Sequence, residues 1–199
     1  MSIRDGKLIY HLVPLDSLES IIEHGLMSRD ELAKNGIGFI DTADQQILNK
    51  RERLALSQYI PFHFHIHTAY DTAVKNDNCD KTFIYICLHR DYAKRMNFKI
   101  LPIHPTSDEQ PQLFDYEEGF KAIDWETMEL TKNDAEERDG DSRYHQQVRM
   151  AECLSPITIQ VNSFHEISVP DKETEKYVRE LCIRHKVNPR FITIRNWFV

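Results

Sequence analysis

The chemistry open to this chain sits in a few short constellations. Tyr10-His11 stands where a short strand would hand over to a helix. Backbone groups and a helix N-terminus converge on ligands at such junctions, although a lone Tyr-His pair is more often a partly buried structural one. Lys50-Arg51-Glu52-Arg53 has a plain reading as a solvated helix face with local salt bridges. Arg51, however, falls four residues after Ile47, on the apolar side of its helix. A guanidinium there needs an anionic partner, because an unpaired buried charge is costly; a phosphate held in its fork would serve.

His63, His65 and His67 alternate with Phe62, Phe64 and Ile66. In a strand, alternation puts the imidazoles on one face, as a groove wall or as zinc or iron ligands. At about 3.3 Å of rise per residue, neighbours lie about 6.5 Å apart, so two share a metal more readily than three. Glu152 lies in Val148-Arg149-Met150-Ala151-Glu152-Cys153-Leu154. Read as extended chain, period two places it in an apolar row, where desolvation raises a carboxyl pKa unless something hydrogen-bonds it. Catalytic carboxylates occupy such places, and so do structural pairs. On this reading, Glu152→Ala leaves the fold intact or slightly more stable. The chain has no G-x-S-x-G, no G-x-G-x-x-G and no P-loop.

These residues need elements to hold them. Leu8–Leu12 reads as a strand, followed by a helix capped by Asp16, carrying Leu18, Ile21 and Ile22 inward and stopped by Gly25. Asp44–Ser57 reads as a helix, Ile60–His67 as a strand and Phe83–Leu88 as a buried strand. Pro102–Pro111 is turn-rich and reads as a surface loop. Helical pieces are predicted around Ile123–Leu130 and in the polar stretch ending near Gln147. Val148–Val161 reads as extended, broken at Ser155-Pro156. A last helix, capped by Asp171, runs to about His185 with Tyr177, Val178, Leu181 and Cys182 inward, and Phe191–Ile194 closes the chain as a strand. Short strands interleaved irregularly with helices predict an α+β domain rather than a doubly wound parallel sheet.

The chain has 199 residues, 41% hydrophobic and 29% charged, which suits a single soluble domain over 1–199. No apolar run approaches the ~18 residues of a membrane span, and Met1–Lys7 has no signal-peptide pattern, so the chain reads as cytoplasmic with no membrane partner. Cys79, Cys87, Cys153 and Cys182 are scattered, which argues against a disulfide scaffold, a zinc ribbon or a thioredoxin-type site. The net charge of −7 falls in the second half, where Asp108–Asp141 holds 13 acidic and 3 basic side chains. Such a run is a solvated face or a docking surface, and it opposes generic duplex binding.

In order along nearly the whole chain, these motifs resemble the DarT family, toxins that ADP-ribosylate bases of single-stranded DNA using NAD. Ile9-Tyr10-His11-Leu12 with Leu15-Asp16-Ser17-Leu18 resembles the family's opening, and Ile47-x-x-Lys50-Arg51 its I-x-x-R-R helix. Tyr59-Ile60-Pro61-Phe62-His63-Phe64 resembles its Y-V-P-F-Y-F strand. Ile123-Asp124-Trp125, Gln147–Glu152 and Ile194-Arg195-Asn196-Trp197-Phe198 resemble its later elements. The resemblance implies an ADP-ribosyltransferase-like split mixed β-sheet with flanking helices, NAD as substrate and no metal. It further implies catalytic Glu152 and Arg51, NAD contacts from Tyr10, His11 and Arg51, and base contacts from Tyr59, Phe62 and His63. Replication is the process blocked, and a DarG-like macrodomain antitoxin is the implied partner. His63 stands where the thymine-modifying branch has tyrosine, and that branch's following arginine is missing; both departures favour guanine as the target. Two other readings compete: a metal-dependent hydrolase or oxygenase using His63, His65 and His67, and a non-catalytic protein-binding module using the acidic stretch.

Overall fold

Phe83–Leu88 carries no charged residue, and its β-branched and aromatic side chains favour a strand inside a sheet. The computed structural model, which describes residues 2–38, 45–107 and 111–198, puts it there. In chain order the strands are β1 (Leu8–Pro14), β2 (Ile60–His63), β3 (Phe83–His89), β4 (Lys99–Leu101), β5 (Phe114–Asp115), β6 (Glu152–Ser155), β7 (Glu166–Val169) and β8 (Ile192–Ile194). They form one sheet ordered β5-β4-β6-β2-β1-β3-β7-β8, antiparallel except where β7 meets β8. The predicted α+β class holds, and so does the split. β1 and β3 are in register from Leu8↔His89 to Pro14↔Phe83, whereas β1 and β2 meet only at Tyr10↔His63.

Residues opposite one another in antiparallel strands share a face. One face carries Ile9, Val13, Phe62, Ile84, Ile86, Ile100, Cys153 and Ile167, all in one continuous buried cluster. Leu18, Ile21 and Ile22 join it from the helix Leu18–His24, Trp125 and Met128 from Trp125–Glu129, and Val178 and Leu181 from Lys172–Arg184. The other face is polar along its middle. Glu152, His63, Tyr10, Cys87 and Glu166 lie in one register row across β6, β2, β1, β3 and β7.

Several local expectations change. The chain leaves β1 through a 3-10 turn at Leu15–Ser17, so Asp16 caps nothing and Ser17 takes the cap position. Gly25 ends the helix as predicted, at φ 88° with its N–H donating to the Ile21 carbonyl. The next predicted helix is Gln45–Arg53, and Asp44 lies outside the described residues. Its buried member is Arg51, not an aliphatic stripe, and Ala55 is exposed at φ 53°. β2 ends at His63 and the chain turns through His67 at φ 59°, so the three histidines never share a strand face. The segment around Ile103–Pro105 is buried rather than on the surface, tied down by the His104 N–H to the Gln147 carbonyl at 3.0 Å. Asp108–Gln110 lie outside the described residues. Helix Arg143–Arg149 continues through Val148, so Glu152 opens β6 instead of continuing an extended row from Val148. Tyr177 is 42% exposed, while Val178, Leu181 and Cys182 point inward as expected.

Within the acidic stretch, Asp124 caps one helix and Asp134 completes the capping box that Thr131 opens on the next, while Asp115, Glu117, Asp139 and Asp141 pair with Lys99, Lys94, Arg138 and Arg143. Exposed pairs of this kind contribute little stability, and they leave the described part of the stretch a solvated face.

Helix Tyr116–Ala122 lies so close to β4 that a Cβ on Gly119 would sit 2.5 Å from the Ile100 Cβ. Gly119→Ala is expected to destabilise the protein by about 1–3 kcal/mol through overpacking. A thermal melt reads this; an unchanged or raised midpoint would show that β4 yields freely.

Candidate active site

Arg51 comes from helix Gln45–Arg53 and Glu152 from the first position of β6. Arg51 Nη1 donates to both carboxylate oxygens of Glu152, at 2.6 and 2.8 Å, with side chains only 7% and 4% exposed. One nitrogen thus serves the whole carboxylate. Arg51 Nη2 is buried and makes no hydrogen bond among the described residues. Buried donors normally find partners, so this nitrogen marks a place for an acceptor that the described residues do not supply. Burial alone would raise the Glu152 carboxyl. The Arg51 charge and hydrogen bonds, with smaller help from His63 and His104, outweigh it and hold the group below the usual carboxylate value. The carboxylate is therefore paired, not isolated in an apolar row. Removing it strands a buried guanidinium, so Glu152→Ala destabilises instead of relieving strain.

Both residues line a cleft of about 480 Å³ that opens where β1 and β2 diverge, together with His11, Tyr59, His63 and His104. His11 Nδ1 lies 2.6 Å from the Pro61 carbonyl. Desolvation pushes the His11 pKa down to about 4, aided by the charges of His63, Arg29 and Arg51 and opposed by the Pro61 bond. The ring is thus neutral, Nδ1–H donates to Pro61, and Nε2 keeps its lone pair for the cleft. His63 is buried with Nδ1 3.3 Å from the Ala151 carbonyl, opposite Glu152 in register. Tyr59 packs against Leu56, Leu101 and Leu154 at the cleft's edge.

Two expected contacts are not brought to the cleft. Tyr10 lies in the Glu152 row, but its ring sits edge-on to Trp197 at 5.7 Å and to Tyr85 at 6.4 Å, away from the lining. Phe62 is fully buried on the opposite face, 6.2 Å from Phe98, and has no surface to offer a base. The histidine trio does not converge either. His65 Nε2 lies 2.7 Å from the Arg149 carbonyl, and Nδ1 lies 2.6 Å from the Ile66 carbonyl and 3.2 Å from Arg149 Nη2, so both ring nitrogens are already engaged. Among the described residues no group of three His, Cys, Asp or Glu side chains is placed to hold a metal.

Sequence reasoning missed His104, which enters the cleft from the buried turn before Ser107, and Asp71, a cleft-lining group that accepts from the Tyr85 hydroxyl at 3.1 Å. The Thr68-x-x-Asp71 capping box was the available signal for Asp71. His104 had none.

Residues 10–199 match the family model described as ssDNA thymidine ADP-ribosyltransferase, DarT. No curated protein matches the chain. Among solved structures, DarT from Thermus sp. 2.9 in complex with ADP-ribosylated ssDNA aligns over 96% of this chain and 95% of that one, at 16% identity and TM-score 0.77. The same protein in complex with NAD+ aligns over 98% of both chains, at 14% identity and TM-score 0.74. Thermosipho africanus DarTG in complex with ADP-ribose aligns over 97% of this chain and 51% of that one, at 22% identity and TM-score 0.72. At these identities the likeness is one of fold. Among the described residues no helix is long and apolar enough to cross a membrane.

His11, at about 4, and His65, pushed down to about 3 by desolvation first and then by the Arg149 charge, both titrate below the 6.5 of a free histidine. Between pH 6.5 and about 4 the unfolded chain therefore binds more protons than the folded one, and stability falls on acidification through that window. Chemical denaturation at pH 6.5 and 5, where most carboxylates are still ionised, should show this loss. His65→Gln should flatten the slope; a slope equal to that of the unsubstituted protein would mean His65 is protonated when folded.

Proposed function

Because this chain belongs to the DarT family, and is therefore an NAD-dependent ADP-ribosyltransferase, we propose that its cleft transfers ADP-ribose from NAD to a base of single-stranded DNA. The observation that carries the reading is the buried Arg51–Glu152 pair with its spare Nη2. An acceptor for a second guanidinium nitrogen, in a cleft of about 480 Å³, suits a pyrophosphate or a ribose hydroxyl of a dinucleotide.

Transfer breaks the bond from the ribose anomeric carbon to the nicotinamide nitrogen, and the electron pair leaves with nicotinamide. A ring nitrogen of the base then bonds that carbon and loses its proton. Glu152, ionised at neutral pH, stabilises the positive charge developing at the anomeric carbon or takes up the proton from the base. Arg51 keeps that carboxylate in place through Nη1 and holds substrate oxygen through Nη2. Neutral His11 orients the nicotinamide end through Nε2. His63 and Tyr59 face the base, which a single strand presents unpaired. In this reading Tyr10 and Phe62 carry no substrate contact, and residues 1–199 act as one catalytic domain.

The matching family is described by thymidine, so thymidine is the acceptor taken first. Two departures favour guanine instead: the arginine missing after the strand, and His63 beside Glu152, since imidazole is smaller than phenol and offers a hydrogen-bonding ring nitrogen. The biological reading is a cytoplasmic toxin that blocks replication by modifying exposed template. Its neutralising partner is a DarG-like macrodomain that removes ADP-ribose, a pairing supported by the fused DarTG to which the chain is similar in fold.

Labelled NAD incubated with thymine-only and guanine-containing single-stranded oligonucleotides tests both levels. Label on neither oligonucleotide would overturn the transferase reading. Label confined to thymine-only strands settles the base against guanine, and His63→Tyr should then leave preference unchanged. Glu152→Gln, which preserves an acceptor for Arg51, should cut transfer by about 10²–10³-fold while the protein still melts cooperatively. Arg51→Lys should rescue poorly, because an ammonium keeps the charge and loses the fork that spans carboxylate and substrate. Near-wild-type transfer by Glu152→Gln would remove Glu152 from the mechanism.

A further inference from the structure

The register row that begins at Glu152 ends at a second buried carboxylate for which the transfer chemistry has no use. Glu166 on β7 accepts from Ser168 Oγ at 2.7 Å and from Arg195 Nε and Nη2 at 2.9 and 3.0 Å. The Glu166 side chain is 5% exposed while that of Arg195 is 39% exposed, so the acid is sealed and the base reaches the surface. The fork uses two of the three guanidinium nitrogens. Nη1 is in neither bond.

Arg195 in turn lies over the indole of Trp197, 5.0 Å from its centroid. Trp197, half-buried, is edge-on to Tyr10 at 5.7 Å and to Tyr85 at 6.2 Å, and Phe198 lies against Tyr85 at 5.4 Å. Tyr10 is the direct cross-strand neighbour of His63, and His63 of Glu152. The C-terminal segment Arg195–Phe198 is therefore spread over the same polar face as Glu152, with Trp197 meeting it two strands along at Tyr10 on β1 and Arg195 four strands along at Glu166 on β7. Apolar packing alone does not account for this. The floor beneath the segment is Tyr10 and Tyr85 with Glu166 beside them; ring contacts hold Trp197 and Phe198 without an ion pair, and a buried ion pair is a poor source of stability compared with an apolar contact of the same size. What the pair does achieve is to fix a partly exposed cation and aromatic on the polar sheet face that also carries Glu152 and His63.

We infer that Arg195 and Trp197 form a second subsite for the acceptor strand: Trp197 stacks on a base flanking the modified one, and Arg195 Nη1 meets a phosphate beside it. Aromatic stacking tolerates any base, and a guanidinium over the ring adds to its attraction for nucleotides. Tyr10 then serves by propping Trp197. The inference rests on the acceptor being single-stranded DNA, and it places strand recognition on residues outside the NAD pocket.

The test measures fluorescence anisotropy of a labelled mixed-sequence 15-nucleotide strand, NAD affinity by calorimetry and the melting temperature, for wild type and for Trp197→Ala, Trp197→Phe and Arg195→Gln. Loss of the indole should weaken strand binding about ten-fold, phenylalanine should restore most of it, and NAD affinity should hold in all three. Arg195→Gln should reduce the slope of log Kd against log salt by about 0.7, one phosphate contact for a single strand. Trp197→Ala with unchanged strand affinity overturns the subsite, and so does a fall in strand and NAD affinity together with the melting temperature in both Trp197 variants. A wild type that binds the strand but never modifies it overturns the proposed transferase reading instead, and the subsite is then decided by the binding data. A wild type that binds no strand overturns the subsite.

Discussion

Arg51 and Glu152 are 101 positions apart, and bringing them to 2.6 Å inside the protein sets conditions on much of the chain. Two desolvated charges hold together only if the geometry is close and their remaining hydrogen-bonding capacity is met. The carboxylate meets that condition, since one nitrogen bridges both oxygens. The guanidinium does not, because Nη2 is buried without a partner among the described residues. A pair built for stability alone would close this gap with a carbonyl. Leaving it open in a cleft trades stability for binding, the usual sign of a site arranged for a ligand.

The cleft exists because the sheet fails to close between β1 and β2, and the cause is visible in one residue. Pro61 has no N–H, so β2 lacks a donor at its second position. The Pro61 carbonyl faces β1 and is taken by the His11 side chain at 2.6 Å instead of by backbone. A strand's N–H and C=O at one residue point to the same side, so the missing donor faces β1 too. The ladder is thereby reduced to Tyr10↔His63, the two halves of the sheet diverge, and the imidazole that covers the gap becomes part of the cleft. His11 is held neutral by this burial, which keeps a third positive charge away from Arg51 and Arg29.

Alternation along strands was legible in the sequence, and carried through it would have sharpened the site. It sets Phe62 opposite His63, which is where the structure puts it, and so rules out both touching one base. Tyr10 and His11 are adjacent on β1 and for the same reason face opposite sides; only the opening of the sheet lets His11 reach the cleft. The need of Arg51 for an anion was also legible from its phase against Ile47, although the anion found is the chain's own Glu152. Hidden from the sequence were events that local pattern does not encode. Helix Arg143–Arg149 runs two residues further into Val148-Arg149 than period two allowed, and the proline-rich turn that carries His104 is buried because Gln147 ties it down.

Charge puts a last condition on how such a chain meets a polyanion. At net −7, with the acidic stretch exposed and only partly ion-paired, the net charge opposes long-range attraction for phosphate, and no broad basic coat of lysine and arginine is available to drive binding by counterion release. Affinity must then come from short-range terms: stacking, a small number of fixed guanidinium contacts, and hydrogen bonds to base edges. Each favours an unpaired strand, because a duplex hides its base faces and offers mainly phosphate. The polar face of the sheet supplies such terms in a line, from Glu152 and His63 at the cleft to Arg195 and Trp197 at its far end. On the proposed reading, an acidic protein with this face discriminates against duplex through what it lacks as much as through what it presents.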